Sequence, residues 1–200
     1  MSCRYLTLEA PAEAVFREKM SKFIAFAIPV RTADEARSHI ADIARRYHDA
    51  RHVCWAYMLG ADGAEYQSND NGEPSGTAGR PILGQIRSAG LTYLVIAVVR
   101  YFGGIKLGTS GLIAAYREAA RMAIEAGNIV SRSEMSEISF TFPYLAMNDV
   151  MKIIKDSGAG IVSQQFDNSC SMTILTEADY APRLTASIAA VSGTSITQPQ

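Results

Sequence analysis

The sequence has few cysteines and histidines, the residues that form disulfides in small secreted domains and bind metal ions. Its 200 residues include three cysteines and three histidines. The cysteines (Cys3, Cys54 and Cys170) are odd in number and far apart, which argues against a disulfide framework. A chain of this length can bury a sufficient core without one. Cysteine and histidine also lack the paired spacing of a metal site, so we predict no metal and no cofactor.

Long apolar runs and a large excess of one charge are also missing. No run approaches the ~18 apolar residues that span a bilayer, and residues 1–11 lack the apolar centre of a secretory signal, so we expect a cytoplasmic protein. The 19 Lys and Arg nearly balance the 20 Asp and Glu. This balance excludes a uniformly basic nucleic-acid coat protein but not a local basic patch.

Charge and helix-stop signals divide the chain near residue 130. Residues 1–128 hold 15 Lys and Arg against 13 Asp and Glu, whereas residues 129–200 hold 4 against 7. A helical pattern ends at Gly127-Asn128, which is a good C-terminal stop, and a polar stretch follows. We therefore predict an α+β protein with two domains, at residues 1–130 and 136–200.

The second domain has the pattern of a ferredoxin-like fold. Apolar residues alternate at Ile138, Phe140 and Phe142, as in a half-buried strand. Strands are predicted at residues 138–142, 160–166, 169–175 and 193–197, and helices at residues 143–157 and 178–190. The resulting order, βαββαβ, is that of the ferredoxin-like fold.

The first domain mixes strands and helices without strict alternation, which favours a sheet layered with helices over a doubly wound sheet. Residues 94–99 are continuously apolar, as expected for a strand that is covered on both faces. Strands are predicted at residues 23–30, 53–59, 64–67 and 91–101, and helices at residues 33–47, within 77–88, and at 109–126. Thr32 is predicted to cap the first of these helices.

The first motif, Asp70–Pro81, is a loop rich in glycine and proline. If Thr77 caps the helix that follows, the backbone N–H groups beside it form an anion site. The anion-binding candidates of this segment are Gly76, Thr77, Gly79 and Arg80. In the alternative interpretation the loop is architectural, and the carboxylates of Asp70 and Glu73 accept hydrogen bonds from its amides.

The second motif, Arg100–Gly111, joins a buried strand to a long helix. A strand, a glycine-rich loop and a helix N-terminus in succession can bind phosphate, although the spacing fits neither a P-loop nor a dinucleotide-binding fingerprint. The candidates here are Arg100, Gly103, Gly104, Lys106 and Gly108. Alternatively, the glycines only pack the helix on the sheet. Tyr101 and Phe102 are either a stacking surface for bases or core aromatics.

The third motif, residues 49–57, places His52 and Cys54 on one side of a strand, with the cation Arg51 before them. Three interpretations stay open: a Cys–His nucleophilic pair, two metal ligands, or a hydrogen-bonded histidine beside a small buried cysteine. With Glu73 as an acid or base, His52 and Cys54 are the catalytic candidates of the sequence.

At these three motifs the sequence resembles the Impact/YigZ family. The matching segments are Ser21–Ile24, Arg51–Tyr57, Gly72–Pro81 and Val98–Gly108, and the likeness spans about residues 15–125. Residues 136–197 fit the family's C-terminal ferredoxin-like domain by pattern. Asn71 departs from the family, which commonly has a second aspartate there, so a paired-carboxylate site would carry half its charge.

The resemblance implies an N-terminal domain with the fold of the second domain of ribosomal protein S5, and a C-terminal domain like one of elongation factor G. Eukaryotic relatives regulate translation initiation, and nucleic-acid binding has been suggested for bacterial relatives. The resemblance therefore implies a non-catalytic cytoplasmic regulator whose partner is RNA, the ribosome or a translation-associated protein. It implies no membrane partner, and no DNA-specific motif is visible.

The alternative function is an enzyme that acts on a small phosphorylated or carboxylated ligand. In that reading His52 is the base, Cys54 the nucleophile and Glu73 an acid or base, while Arg100 binds the anionic group. A catalytic thiol would have a depressed pKa and would react quickly with alkylating agents near neutral pH.

Overall fold

Residues 4–167 and 170–197 are described by a computed structural model. The described residues form two units, residues 4–132 and residues 133–197. The chain is α+β, as the sequence predicts. No helix among the described residues has the length and apolarity to cross a bilayer.

A five-stranded antiparallel sheet is the centre of the first unit. The elements in chain order are β1 (Arg4–Leu8), β2 (Ala12–Glu18), β3 (Ser21–Pro29), α1 (Ala33–Arg46), β4 (His52–Leu59), β5 (Glu65–Asn69), α2 (Gly79–Ser88), β6 (Leu94–Tyr101), α3 (Gly108–Glu125) and β7 (Ile129–Ser133). The strand order in the sheet is β2-β3-β6-β4-β5. β1 and β7 pair in a separate two-stranded sheet.

Helices cover both faces of the five-stranded sheet. α2 and α3 pack on one face, where residues such as Ile82, Ile86 and Leu112 meet Ile96 and Val98 of β6. α1 packs on the other face, and Thr32 caps it as predicted by accepting the Glu35 N–H at 3.2 Å. The central strand β6 is therefore buried on both sides, which explains its unbroken apolar run.

The sequence analysis missed β1, β2 and β7. β2 and β3 form a hairpin whose two turn residues, Lys19 and Met20, have φ of 44° and 65°. Such turns usually contain Asn or Gly, because these residues tolerate positive φ at low cost. The Lys-Met turn contains neither residue, so the turn sequence does not predict the β2–β3 hairpin.

The second unit has the predicted ferredoxin-like topology. Its elements are β8 (Met135–Phe142), a 3₁₀ turn (Tyr144–Ala146), α4 (Met147–Ser157), β9 (Gly160–Phe166), β10 (Cys170–Glu177), α5 (Ala181–Ala189) and β11 (Ser195–Thr197). The antiparallel order β11-β8-β10-β9 places the first and third strands of the unit at the centre. Ser169, the predicted first residue of the third strand, lies outside the described residues.

Candidate anion-binding site

The three sequence motifs meet at a cavity of about 430 Å³ where β6 ends. The pairing of strands brings Arg100, near the end of β6, opposite Phe23 of β3 and His52 of β4. The cavity is lined by Arg51, His52, Gly72, Glu73, Pro74, Arg100, Phe102, Lys106, Leu107, Gly108, Thr109 and Leu112. Three motifs that are separate in the sequence therefore contribute to one concave site.

A buried ion pair joins two of the motifs at this cavity. Arg100 Nη1 donates to Glu73 Oε1 at 2.6 Å, and the Tyr116 hydroxyl of α3 donates to the same oxygen at 2.8 Å. Glu73 and Arg100 are 8% and 7% exposed. Because a buried charge needs a partner, Glu73 balances Arg100 and is not free to act as a proton acceptor.

Arg100 retains unused hydrogen-bonding capacity. Its Nε is buried and, within the described part of the chain, has no hydrogen-bond partner. The centre of its guanidinium lies 5.7 Å from the ring centroids of both Phe23 and Phe102. Arg100 is thus held by Glu73 on one side and by aromatic rings on others, and it contributes a positive charge to the cavity wall.

Cys54 lies in the core between the sheet and α3, which does not fit a nucleophile. Its Sγ lies 2.9 Å from the Asp70 carbonyl oxygen and 3.3 Å from the Tyr116 hydroxyl. Burial raises the pKa of the thiol to about 12, and burial also raises the pKa of Tyr116. The thiolate needed for nucleophilic attack is therefore scarce near neutral pH.

His52 is fixed by the loop that follows β5. Its Nδ1 lies 2.7 Å from the Asn71 carbonyl oxygen, while the Asn71 side-chain oxygen accepts the Val53 N–H at 3.0 Å. His52 and Cys54 thus bind consecutive carbonyl groups of one loop. This arrangement is the architectural interpretation of the third motif, a hydrogen-bonded histidine beside a small buried cysteine.

The amides proposed as an anion site in the first motif are already occupied by a carboxylate of the chain. Asp70 accepts the N–H groups of Gly76, Ala78 and Gly79 at 2.8, 3.0 and 2.8 Å. Partial burial opposes ionisation of Asp70, but these three hydrogen bonds and nearby Arg80 hold its pKa below the usual value. Gly76 and Gly79 therefore bind an internal anion, and the expectation that their amides face an external one is wrong.

Thr77 does not have the predicted capping role. α2 begins at Gly79, its N-cap position is Ala78, and no side chain there caps the helix. The buried Thr77 hydroxyl instead donates to the Pro74 carbonyl oxygen at 2.7 Å. The prediction failed because the Asp70 carboxylate, eight residues before Ala78, supplies the cap from outside the local sequence.

Arg80 also lies away from the cavity. It is exposed on α2, where it lines a groove with Gly84, Ile113 and Arg117. Arg80 therefore belongs to a different surface from Arg51, Arg100 and Lys106, and the predicted anion-binding residues do not form a single site.

The glycines of the second motif have two roles: one allows a close backbone contact, and two adopt positive φ. A Cβ on Gly103 would lie 2.0 Å from the Met20 carbonyl carbon, so this glycine lets the loop pack against the β2–β3 turn. Gly104 and Gly108 have φ of 90° and 72° with open space around them. Gly103 thus lets the loop pack on the β2–β3 turn, which differs from the expected packing of the helix on the sheet, whereas Gly108 starts α3 at the cavity wall.

The first turn of α3 and the exposed cations make the cavity favourable for an anion. The N-cap of α3 is Leu107, whose side chain cannot accept the first N–H groups of the helix. Arg51 and Lys106 are exposed and line the same cavity. Helix N-terminal amides and free cations together are the usual components of a phosphate site.

The two aromatic candidates have different environments. The Tyr101 hydroxyl donates to Asp49 at 2.7 Å, which raises the pKa of Tyr101 to about 12. Its ring packs on the α1 side of the sheet. Phe102 is 55% exposed and lines the cavity, so the stacking interpretation fits Phe102 but not Tyr101.

The sequence did not identify Tyr116 and Phe23, which contact the Glu73–Arg100 pair from the interior. The Tyr116 ring packs against Phe23 at 5.2 Å with the planes at 85° and places its hydroxyl on Glu73. A tyrosine within an alanine-rich helix carries no local signal for a contact with Glu73, which is 43 positions away in the sequence.

Comparison with known proteins covers all three motifs. Residues 19–124 match the Impact N-terminal domain. The chain is 27% identical to the IMPACT family member YigZ of Escherichia coli (strain K12) over 187 residues, 92% of each chain. It is 33% identical to the IMPACT family member YvyE of Bacillus subtilis (strain 168), covering 76% of this chain and 70% of that relative.

A solved structure shares the fold as well. The crystal structure of a hypothetical protein aligns with a TM-score of 0.76 at 26% identity, covering 100% of this chain and 98% of that one. The matched Impact domain contains the cavity, the buried ion pair and both glycine-rich loops. The chain therefore belongs to the IMPACT family.

Proposed function

We propose that this protein is a non-catalytic cytoplasmic regulator that binds RNA at the cavity beside β6, in the translation-linked role that the family resemblance implies. The observation that carries the proposal is the cavity itself. It combines two exposed cations, the start of an 18-residue helix and an exposed aromatic ring. These are the components with which proteins bind a phosphate and an adjoining base.

The charges at the cavity support phosphate binding. Among the described residues, neither Arg51 nor Lys106 forms an ion pair, whereas Glu73, the one carboxylate lining the cavity, is already paired with Arg100. The net charge of the lining is therefore positive although the whole chain carries −1. Binding that depends on such cations weakens as salt rises, because phosphate binding releases counterions.

Phe102 supports contact with a base. Its exposed ring lies beside the Arg100 guanidinium at 5.7 Å, and an aromatic ring and a guanidinium plane both stack on nucleobases. Phe102 therefore packs beside Arg100 and still exposes 55% of its surface, which leaves its ring free to contact a ligand.

The environments of the catalytic candidates support a non-catalytic role. Cys54 is buried with a pKa of about 12, and Glu73 is committed to Arg100 and Tyr116. His52 also lines the cavity, and no ion pair engages it among the described residues. One histidine without its predicted nucleophile does not support the enzyme proposed as the alternative.

Cosedimentation of the purified chain with ribosomes and with bulk RNA tests the proposal. We expect binding at low salt that falls steeply as salt rises, and loss of the complex after nuclease treatment of bulk RNA. Absence of binding to both at low salt would overturn the proposal. Complexes from lysate that survive nuclease treatment would instead favour a translation-associated protein as the partner.

A further inference from the structure

We infer that the cavity accepts a terminal phosphate monoester, as at the 5′ end of an RNA or on a free mononucleotide, in preference to an internal phosphodiester. This inference rests on the proposed function for its RNA source. The monoester itself is inferred from the burial of Arg100 and from the charge and donors of the cavity.

The burial of Arg100 favours a terminal phosphate. Arg100 lines the cavity although it is 7% exposed, and its buried Nε has no hydrogen-bond partner within the described residues. An internal phosphodiester is attached to the chain on both sides and lies along a surface. A terminal phosphate is attached on one side, so it can approach a largely buried guanidinium more closely than an internal phosphate can.

The charge of the cavity also favours a monoester. Arg51, Arg100 and Lys106 line the cavity with one carboxylate among the described residues, Glu73, so these four side chains carry a net charge of +2. A phosphate monoester carries about −1.5 to −2 at pH 7, since its second pKa is about 6. A phosphodiester carries −1, so the monoester matches the charge of this cavity more closely.

The available donors and the volume fit the same ligand. Gly108 and Thr109 bring the start of α3 to the cavity, where N–H groups and the helix dipole favour an anion. A volume of about 430 Å³ lies within the range of small-ligand sites. Phe102 at the same cavity provides a stacking surface for the base next to the phosphate.

Binding of two fluorescent single-stranded RNAs of one sequence, with a 5′-phosphate or a 5′-hydroxyl, tests the inference. The fluorophore is attached at the 3′ end. We expect the phosphorylated RNA to bind at least about tenfold more tightly at pH 7.5, because it adds charge-assisted hydrogen bonds.

Competition by adenosine 5′-monophosphate, with adenosine as control, identifies the source of the phosphate. Equal affinity for the two RNAs overturns the inference and leaves RNA binding standing. Binding of the mononucleotide without either RNA overturns the proposed function and keeps the monoester site, for a small molecule. Absence of binding by RNA and mononucleotide alike overturns both.

Discussion

Glu73 and Arg100 are 27 positions apart in the sequence, and their side chains meet at 2.6 Å in the interior of the first unit. The pair joins the loop after β5 to the end of β6, and Tyr116 ties α3 to the same carboxylate. Side chains from three elements therefore contact one another at one wall of the cavity. Its exposed cations can change without removing that wall.

Glu73→Gln should lower the free energy of unfolding by about 3 kcal/mol, because it leaves the buried Arg100 charge without a charged partner. Urea denaturation checks this. Glu118→Gln is the matched control: it removes an exposed carboxylate paired with Arg121 and should cost less than about 1 kcal/mol. Equal losses in the two variants would contradict the structural importance of the buried pair.

Asp70→Asn should destabilise the protein by about 2 kcal/mol at pH 7, because three amide donors lose a charged acceptor. The pKa of Asp70 is lowered by folding, so its contribution is present above the unfolded value of about 3.9 and disappears as pH falls through the folded value.

Denaturation at pH 7 and at pH 2.5 measures the pH dependence at Asp70. The difference in the free energy of unfolding between wild type and Asp70→Asn should be smaller at pH 2.5 than at pH 7. The control is Asp62→Asn, at an exposed aspartate that accepts one backbone N–H. Its free energy of unfolding should differ little from that of wild type at both pH values. A difference for Asp70→Asn that is the same at both pH values would exclude the ionised carboxylate as its source.

Cys54 should alkylate about a thousandfold more slowly than an ordinary thiol near neutral pH, since a pKa of about 12 leaves little thiolate. Timed treatment with iodoacetamide, followed by mass spectrometry of the Cys54 peptide, measures this rate in the native and the urea-unfolded chain. Rapid labelling of native Cys54 would restore the nucleophile of the enzyme interpretation.

Gly103→Ala should destabilise the protein by about 3 kcal/mol, because the new Cβ would lie 2.0 Å from the Met20 backbone and force the loop to move. Gly104→Ala, at a φ of 90° with open space, should cost about 1–2 kcal/mol from backbone strain alone. Thermal melting of both variants checks that Gly103→Ala is the more destabilising of the two. The reverse order would mean that the loop does not pack on the β2–β3 turn as described.

Patterns within single elements predicted most of the fold. The apolar run of β6, the Thr32 cap and the βαββαβ order of the second unit are local signals, and each is confirmed. The β2–β3 hairpin escaped because Lys19 and Met20 adopt positive φ without the usual turn residues. Tertiary structure determines their conformation, and the turn sequence alone does not.

The site was less predictable, because its chemistry depends on contacts across the sequence. Motif composition identified Arg51, Arg100 and Lys106 as candidates, and the structure places all three at one cavity. The same reasoning misplaced Gly76, Thr77 and Gly79, since no local pattern shows that Asp70 folds back onto their amides and caps α2. Whether a helix N-terminus is free or occupied is a property of the tertiary structure.

The proposed function requires that the cations of this cavity bind RNA phosphate. Its most direct test is the fluorescence anisotropy of a labelled single-stranded RNA, titrated at two salt concentrations with wild type, Arg51→Ala/Lys106→Ala and Arg80→Ala. All three positions are exposed, so the variants should fold, which thermal melting verifies. Arg80 is the matched control, an exposed arginine on a different surface.

We predict that the double variant binds RNA at least about tenfold more weakly than wild type. The slope of log affinity against log salt should fall by the equivalent of about two phosphate contacts. Arg80→Ala should retain nearly all of the affinity and most of the salt dependence. Equal affinity of the double variant and wild type, or a larger loss in Arg80→Ala, would contradict the placement of RNA at this cavity.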